Sequence, residues 1–185
     1  MKKWMLIIAL VLSIPAMAKA VELVAPLDGG LARPFTAKEA MLSGHWKKGS
    51  RDLPHFGAVR NPTGRQHAGV DLYPVAGEGA AVRSMADGEV LVSAPFYTRR
   101  NGEKTFGLLV DHGDMVVNYA EIRPIKAVGD KVKQGELLGT VSGTAQLHLE
   151  LYAAGTRRWI GGWYGSRPEW LLDPTPMMLK LYPSY

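Results

Sequence analysis

From about residue 53 onward the chain alternates short apolar runs with glycine-centred turns. The runs cover residues 69–72, 81–84, 89–94, 107–110, 115–122, 136–141 and 146–152. Between them stand Asn61-Pro62, Gly77, Asp87-Gly88, Asn101-Gly102, His112-Gly113-Asp114, Gly129-Asp130, Gln134-Gly135 and Ser142-Gly143. Short strands at this spacing predict an all-β domain, mainly an antiparallel sheet, with short irregular or helical segments at both ends. Residues 21–50 carry weak periodicity and predict a lead-in with one short helix over 36–42. The stretch 157–185, rich in Trp, Pro and Gly, is expected to pack irregularly over one sheet edge.

Strict alternation over 146–151 puts Leu147, Leu149 and Leu151 on a buried face and Gln146, His148 and Glu150 together on the other. The same period over 67–71 puts His67, Gly69 and Asp71 on one face, with Ala68 and Val70 toward the core. Gly69, having no side chain, would leave room for a metal ion near the backbone. Taken singly, each pattern equally describes an ordinary half-exposed strand. Together, His67, Asp71 and His148 supply the three N/O donors of a catalytic-type zinc site with a fourth position open. Glu150 would then hold an imidazole N–H and set its tautomer.

Composition narrows the choice. The 185 residues are 46% hydrophobic and 21% charged, which excludes a disordered chain. There is no cysteine, so disulfides, thiolate ligands and thiol nucleophiles are excluded. Residues 1–20 read as a secretory leader: Lys2 and Lys3, an apolar run from 4 to 14, then small residues ending at Ala20. Cleavage there would leave 165 residues. Losing Lys2, Lys3 and Lys19 takes the 22 basic residues to 19 against 17 acidic ones, a formal +2. So mild an excess is no argument for nucleic acid, and no second stretch is long enough to span a bilayer once the leader is gone. An exported chain, periplasmic or secreted, is the expectation.

The run Phe56-Gly57-Ala58-Val59-Arg60, the His67-to-Asp71 motif, Ala86-Asp87-Gly88-Glu89-Val90, Val110-Asp111-His112-Gly113-Asp114, Asn118-Tyr119-Ala120-Glu121 and Gln146-Leu147-His148-Leu149-Glu150 follow one another in order. That order resembles the lysostaphin-type (LytM-domain) zinc metallopeptidases, which cleave peptide cross-links of bacterial peptidoglycan. The resemblance implies a LytM-like domain over 51–156, one Zn2+ ion on His67, Asp71 and His148, and peptidoglycan stems or cross-links as substrate. Two positions depart from it. The family carries histidines, assigned to proton transfer and transition-state stabilisation, where Glu121 and Gln146 stand here. In this respect the chain is similar to the leukocyte-derived chemotaxins, which keep the metal and are not peptidases.

The replacements are chemically competent. A carboxylate at Glu121, expected on the same strand face as Tyr119, could serve as an atypical base or be a solvated strand residue. Tyr119 itself is expected either to line the groove or to form a cross-strand pair in the sheet. Gln146 could donate an N–H to an oxyanion. The expectation is therefore a peptidoglycan metalloendopeptidase. The alternative is a silent LytM-like domain that binds peptidoglycan or a protein partner such as an amidase. Trp159, Trp163, Tyr164 and Trp170 could form a sugar-stacking platform, or simply core beneath a loop. His112 is expected to bond turn backbone. The stretch 129–138 also resembles biotinyl and lipoyl carrier domains, but residues 85–88 lack the modifiable lysine of such a domain.

Overall fold

The computed structural model describes residues 22–47 and 49–183; the leader expected over 1–20 lies outside the described residues. The elements in chain order are α1 (Ala37–Leu42), β1 (Gln66–His67), β2 (Gly69–Leu72), β3 (Ala81–Arg83), β4 (Gly88–Thr98), β5 (Lys104–Asp111), β6 (Met115–Pro124), β7 (Lys131–Val132), β8 (Leu137–Val141), β9 (Leu147–Ala153), β10 (Gly162–Trp163), β11 (Leu171–Leu172) and α2 (Thr175–Leu181). The expected strands are all present, with β4 and β5 longer than the apolar runs that announced them.

β11, β9, β6, β5, β4 and β7 lie side by side in that order, each antiparallel to the next. β2 pairs with β9, and β8 pairs with both β6 and β3. β6 therefore changes partner along its length: Met115 to Ala120 face β9, whereas Ile122 to Pro124 face β8. That fork recurs at the site below.

The inward faces of these strands close the larger of two apolar clusters, around Val70, Leu72, Leu108, Val110, Val117, Tyr119, Leu147 and Leu149. Ala68, Leu109, Val116, Tyr152, Trp163 and Leu171 form the other. Both ends of the chain contribute to the larger one. Leu27, Leu31 and Phe35 of the lead-in and Met178 and Tyr182 of the tail belong to the same cluster. At about 1.5–3 kcal/mol per fully buried large apolar side chain, these ends are part of the sheet's stability. α1 forms as expected: Thr36 caps it by accepting from the Glu39 backbone N–H at 3.3 Å.

The tail differs from the expectation of irregular packing. It supplies β10, which pairs with β1, the edge strand β11, and α2. α2 starts at the Asp173-Pro174 step and buries Met178, and the Tyr182 hydroxyl beyond it bonds the Leu27 backbone. Two-residue strands and a seven-residue helix are below what a periodicity count detects. Among the described residues, no helix is long and apolar enough to cross a membrane.

Candidate metal centre

β2 and β9 run antiparallel with Asp71 directly opposite His148 and Gly69 opposite Glu150. His67 ends β1, with Ala68 alone between it and the start of β2. Regular pairing thus brings two imidazoles and a carboxylate from distant parts of the chain onto one face. His67, Asp71 and His148 are 2%, 1% and 3% exposed. Their inward atoms form a near-equilateral triangle: His67 Nε2 to His148 Nδ1 is 2.9 Å, His148 Nδ1 to Asp71 Oδ1 is 2.9 Å, and His67 Nε2 to Asp71 Oδ1 is 3.2 Å.

The outward atoms settle what the triangle is suited to hold. His67 Nδ1 donates to the His55 carbonyl at 3.0 Å, which leaves its Nε2 lone pair pointing inward. His148 Nε2 lies 3.3 Å from Glu150 Oε1, an ion-pair contact between two atoms that have no hydrogen-bond partner, so Nδ1 is the inward atom. Once His148 gives up its inward proton, two imidazole lone pairs and a carboxylate oxygen converge. One proton can serve only one edge of that triangle, whereas a divalent cation serves all three donors. In a tetrahedral zinc site with bonds near 2.0–2.1 Å, ligand atoms stand about 3.3 Å apart, close to the spacing seen. The residues fit the metal.

Supporting groups hold the donors in place. Asp71 Oδ2 takes a 2.5 Å hydrogen bond from the Arg60 guanidinium, which turns Oδ1 toward the imidazoles. Burial alone would push Asp71 up, but His67, Arg60 and His148 outweigh it and hold the carboxyl well below its usual range. Glu150 accepts from Asn118 Nδ2 at 2.6 Å and from the Tyr152 hydroxyl at 2.7 Å. Burial opposes its charge too, yet His148, Asn118 and Tyr152 keep it ionised. Arg60, Asn118, Tyr152 and the His55 carbonyl were not singled out from sequence. Arg60 and Asn118 left a trace there, as the last residue of the Phe56–Arg60 run and the first of the Asn118–Glu121 run.

Gly69 has a different task from the one expected. A Cβ on it would stand 2.3 Å from the Leu149 carbonyl oxygen and 3.1 Å from His148 Cε1. Its missing side chain therefore makes room for β9 and for the His148 ring, not for an ion against the backbone.

Glu121 and Tyr119 part company. Tyr119 is fully buried in the core; its hydroxyl accepts from the Met85 N–H at 3.0 Å and lies 3.1 Å from His112 Nε2. It lines no groove, which corrects the expectation for it. Glu121 sits at a bulge: Phe106 pairs with Ile122 and Gly107 with Ala120, leaving Glu121 as the extra residue, with φ at +64°. Ile122 takes the core position that simple alternation would assign to Glu121. Glu121 turns instead into the cleft shared with His67, Asp71, Gln146 and His148. There Gln146 Nε2 donates to Glu121 Oε1 at 3.2 Å, and Oε2, buried, has no hydrogen-bond partner. Burial first, and the Asp71 charge second, raise the Glu121 pKa.

The cleft measures about 700 Å³, with Phe96, Tyr97 and Trp159 among its lining residues. The four tail aromatics do not form one platform. Trp159 lines the cleft, Trp163 packs on Phe56 with ring centroids 5.1 Å apart, Trp170 leans on Tyr152, and Tyr164 is exposed. His112 Nδ1 lies 3.0 Å from the carbonyl oxygen of Asp87, in the bend before β4 and not in its own hairpin turn.

A sequence model of Peptidase family M23 matches residues 65–158, a span that holds all three donors, Glu121, Gln146 and Glu150. No curated protein matches the chain at a significant level. Among solved structures, a chain of the SpoIIIAH–SpoIIQ complex is similar at 18% identity and a TM-score of 0.52, over 84% of this chain and 99% of that one. A peptidase M23 of Pseudomonas aeruginosa shares 22% identity (TM-score 0.44; 74% of this chain, 47% of that one). Csd3 of Helicobacter pylori shares 20% (TM-score 0.44; 87% and 39%). This chain thus spans less than half the length of the latter two. The likeness to the SpoIIIAH–SpoIIQ chain is one of all-β, LytM-like fold.

Proposed function

The chain belongs to Peptidase family M23, and from that premise we propose that it is an exported zinc metalloendopeptidase acting on peptidoglycan cross-links, with Glu121 in the role of proton carrier. The observation that carries this reading is the placement of a buried carboxylate oxygen without a hydrogen bond, Glu121 Oε2, in the same cleft as His67, Asp71 and His148. A zinc ion on those three residues would supply a water of pKa about 7 and polarise a carbonyl beside it. Glu121 accepts the proton of the attacking water at Oε2 and returns it to the leaving amine. Its raised pKa suits both transfers. Gln146 holds Oε1 with one amide N–H and keeps the second for the developing oxyanion. Residues 1–20 serve as the leader that delivers the chain to the periplasm or beyond.

A second reading is favoured by the Gln146–Glu121 hydrogen bond itself: the two side chains that stand where the family has histidines satisfy each other. In that reading the cleft binds wall peptide without cutting it. Glu121→Ala separates the two. The expected result is loss of new amino groups from purified peptidoglycan, by about 10²-fold or more, with zinc content and wall binding unchanged. Equal turnover in the variant removes Glu121 from the chemistry, and no turnover by the unaltered, zinc-loaded protein leaves the binding reading standing.

A further inference from the structure

Arg33, Arg51, Arg60 and Arg65 all line the cleft, and they come from separate stretches of chain. Arg60 is committed to Asp71. The other three have no carboxylate partner among the described residues, unlike Arg83, Arg99 and Arg123, which are all paired. Two of them are nevertheless held in place by groups that leave guanidinium donors free. The Arg33 guanidinium lies 4.8 Å over the Tyr73 ring, and Arg65 Nη1 donates to the Gly161 carbonyl at 3.2 Å. Arg51 is exposed and spends no side-chain donor at all within the described residues.

The counter-charges in the cleft do not cancel this set. Asp71 is answered by Arg60, which leaves two carboxylates, the exposed Asp52 and the buried Glu121, against three guanidinium groups. A divalent cation on His67, Asp71 and His148 adds further positive charge. A planar, bidentate donor such as guanidinium matches a carboxylate. We propose that the cleft selects peptides bearing free carboxylates, which Arg33, Arg51 and Arg65 bind at the rim while the peptide backbone crosses the metal centre. This rests on the reading that the cleft takes wall peptide, and adds to it a charge requirement.

The test uses the full, zinc-loaded chain and stem peptides released from purified peptidoglycan, either native or with their carboxyl groups converted to amides. Calorimetry at low salt is expected to show the native peptides binding about tenfold or more tightly, an advantage lost in high salt. The Arg51→Gln/Arg65→Gln variant should lose most of that preference with its zinc content unchanged. Arg51→Gln alone, altering a side chain that holds nothing in the fold, should lose part of it. Equal binding of the two peptide sets, or an unaltered preference in both variants, overturns the charge requirement. If the amidated peptides are also bound or cut as well as the native ones, the wall-peptide reading survives without it. If neither set binds, both fall, and tighter binding of a single-stranded oligonucleotide reassigns the rim.

Discussion

Single side chains decide whether this cleft holds a cation. Burial works against a charge on His148, but the Asp71 and Glu150 carboxylates outweigh it and hold that imidazole up at about 10. For His67 burial dominates and pushes the pKa down to about 4. At neutral pH a metal ion must therefore displace a proton from His148 but none from His67. Zinc affinity should rise about tenfold per pH unit between pH 6 and 9, with close to one proton released per ion. Calorimetry in buffers of different ionisation enthalpy measures this, and an affinity flat across that range contradicts the assignment. Arg60 acts one step further out. Arg60→Met leaves Asp71 Oδ2 buried without its partner, and should weaken zinc binding by about 10- to 100-fold and lower stability by about 3 kcal/mol. Chelator competition and thermal melting read the two effects separately. The donor residues were legible in sequence because alternation alone gathers His148 with Glu150 and His67 with Asp71. Arg60 was not, because its pairing with Asp71 joins a loop to a strand eleven positions further along the chain, with β1 between them.

Between elements, the informative feature is the fork where β6 leaves β9 for β8. Ala120 still faces His148, Ile122 already faces Val141, and Glu121 occupies the bulge between them. A non-glycine residue at φ +64° costs about 1–2 kcal/mol, and the cost is borne where the side chain is delivered to the cleft. Glu121→Gly should relieve it: stability rises by about 1 kcal/mol, a melting point about 2–4 °C higher, while peptidoglycan cleavage disappears. A variant that melts lower, or still cleaves, contradicts the idea that strain is spent on positioning this carboxylate. Period-two reading put Glu121 with Tyr119 because it assumes an unbroken pleat. A one-residue bulge inverts every facing beyond it, and nothing in the local residue pattern of 115–122 marks where it falls.

Across the whole molecule, lead-in and tail close on the sheet from both ends of the chain. The Tyr182 hydroxyl bonds both the N–H and the carbonyl of Leu27, at 3.1 and 3.3 Å, locking the two ends together. Tyr182→Ala should cost about 3 kcal/mol by thermal unfolding yet leave zinc stoichiometry at one per chain, since the triad rests on β1, β2 and β9 and Tyr182 touches none of its members. Loss of metal in that variant would show that the terminal segments hold the site as well as the core. Sequence by itself determined the periodic strands, their glycine turns and the residue types able to bind a metal, because these depend on neighbours two to four positions away. Tertiary structure alone decided which of those groups meet, that Tyr119 serves the core while Glu121 serves the cleft, and that three arginines from separate segments share one rim. Strand register, a bulge and a change of pairing partner are long-range choices, set by which faces must be buried together, and no local pattern encodes them.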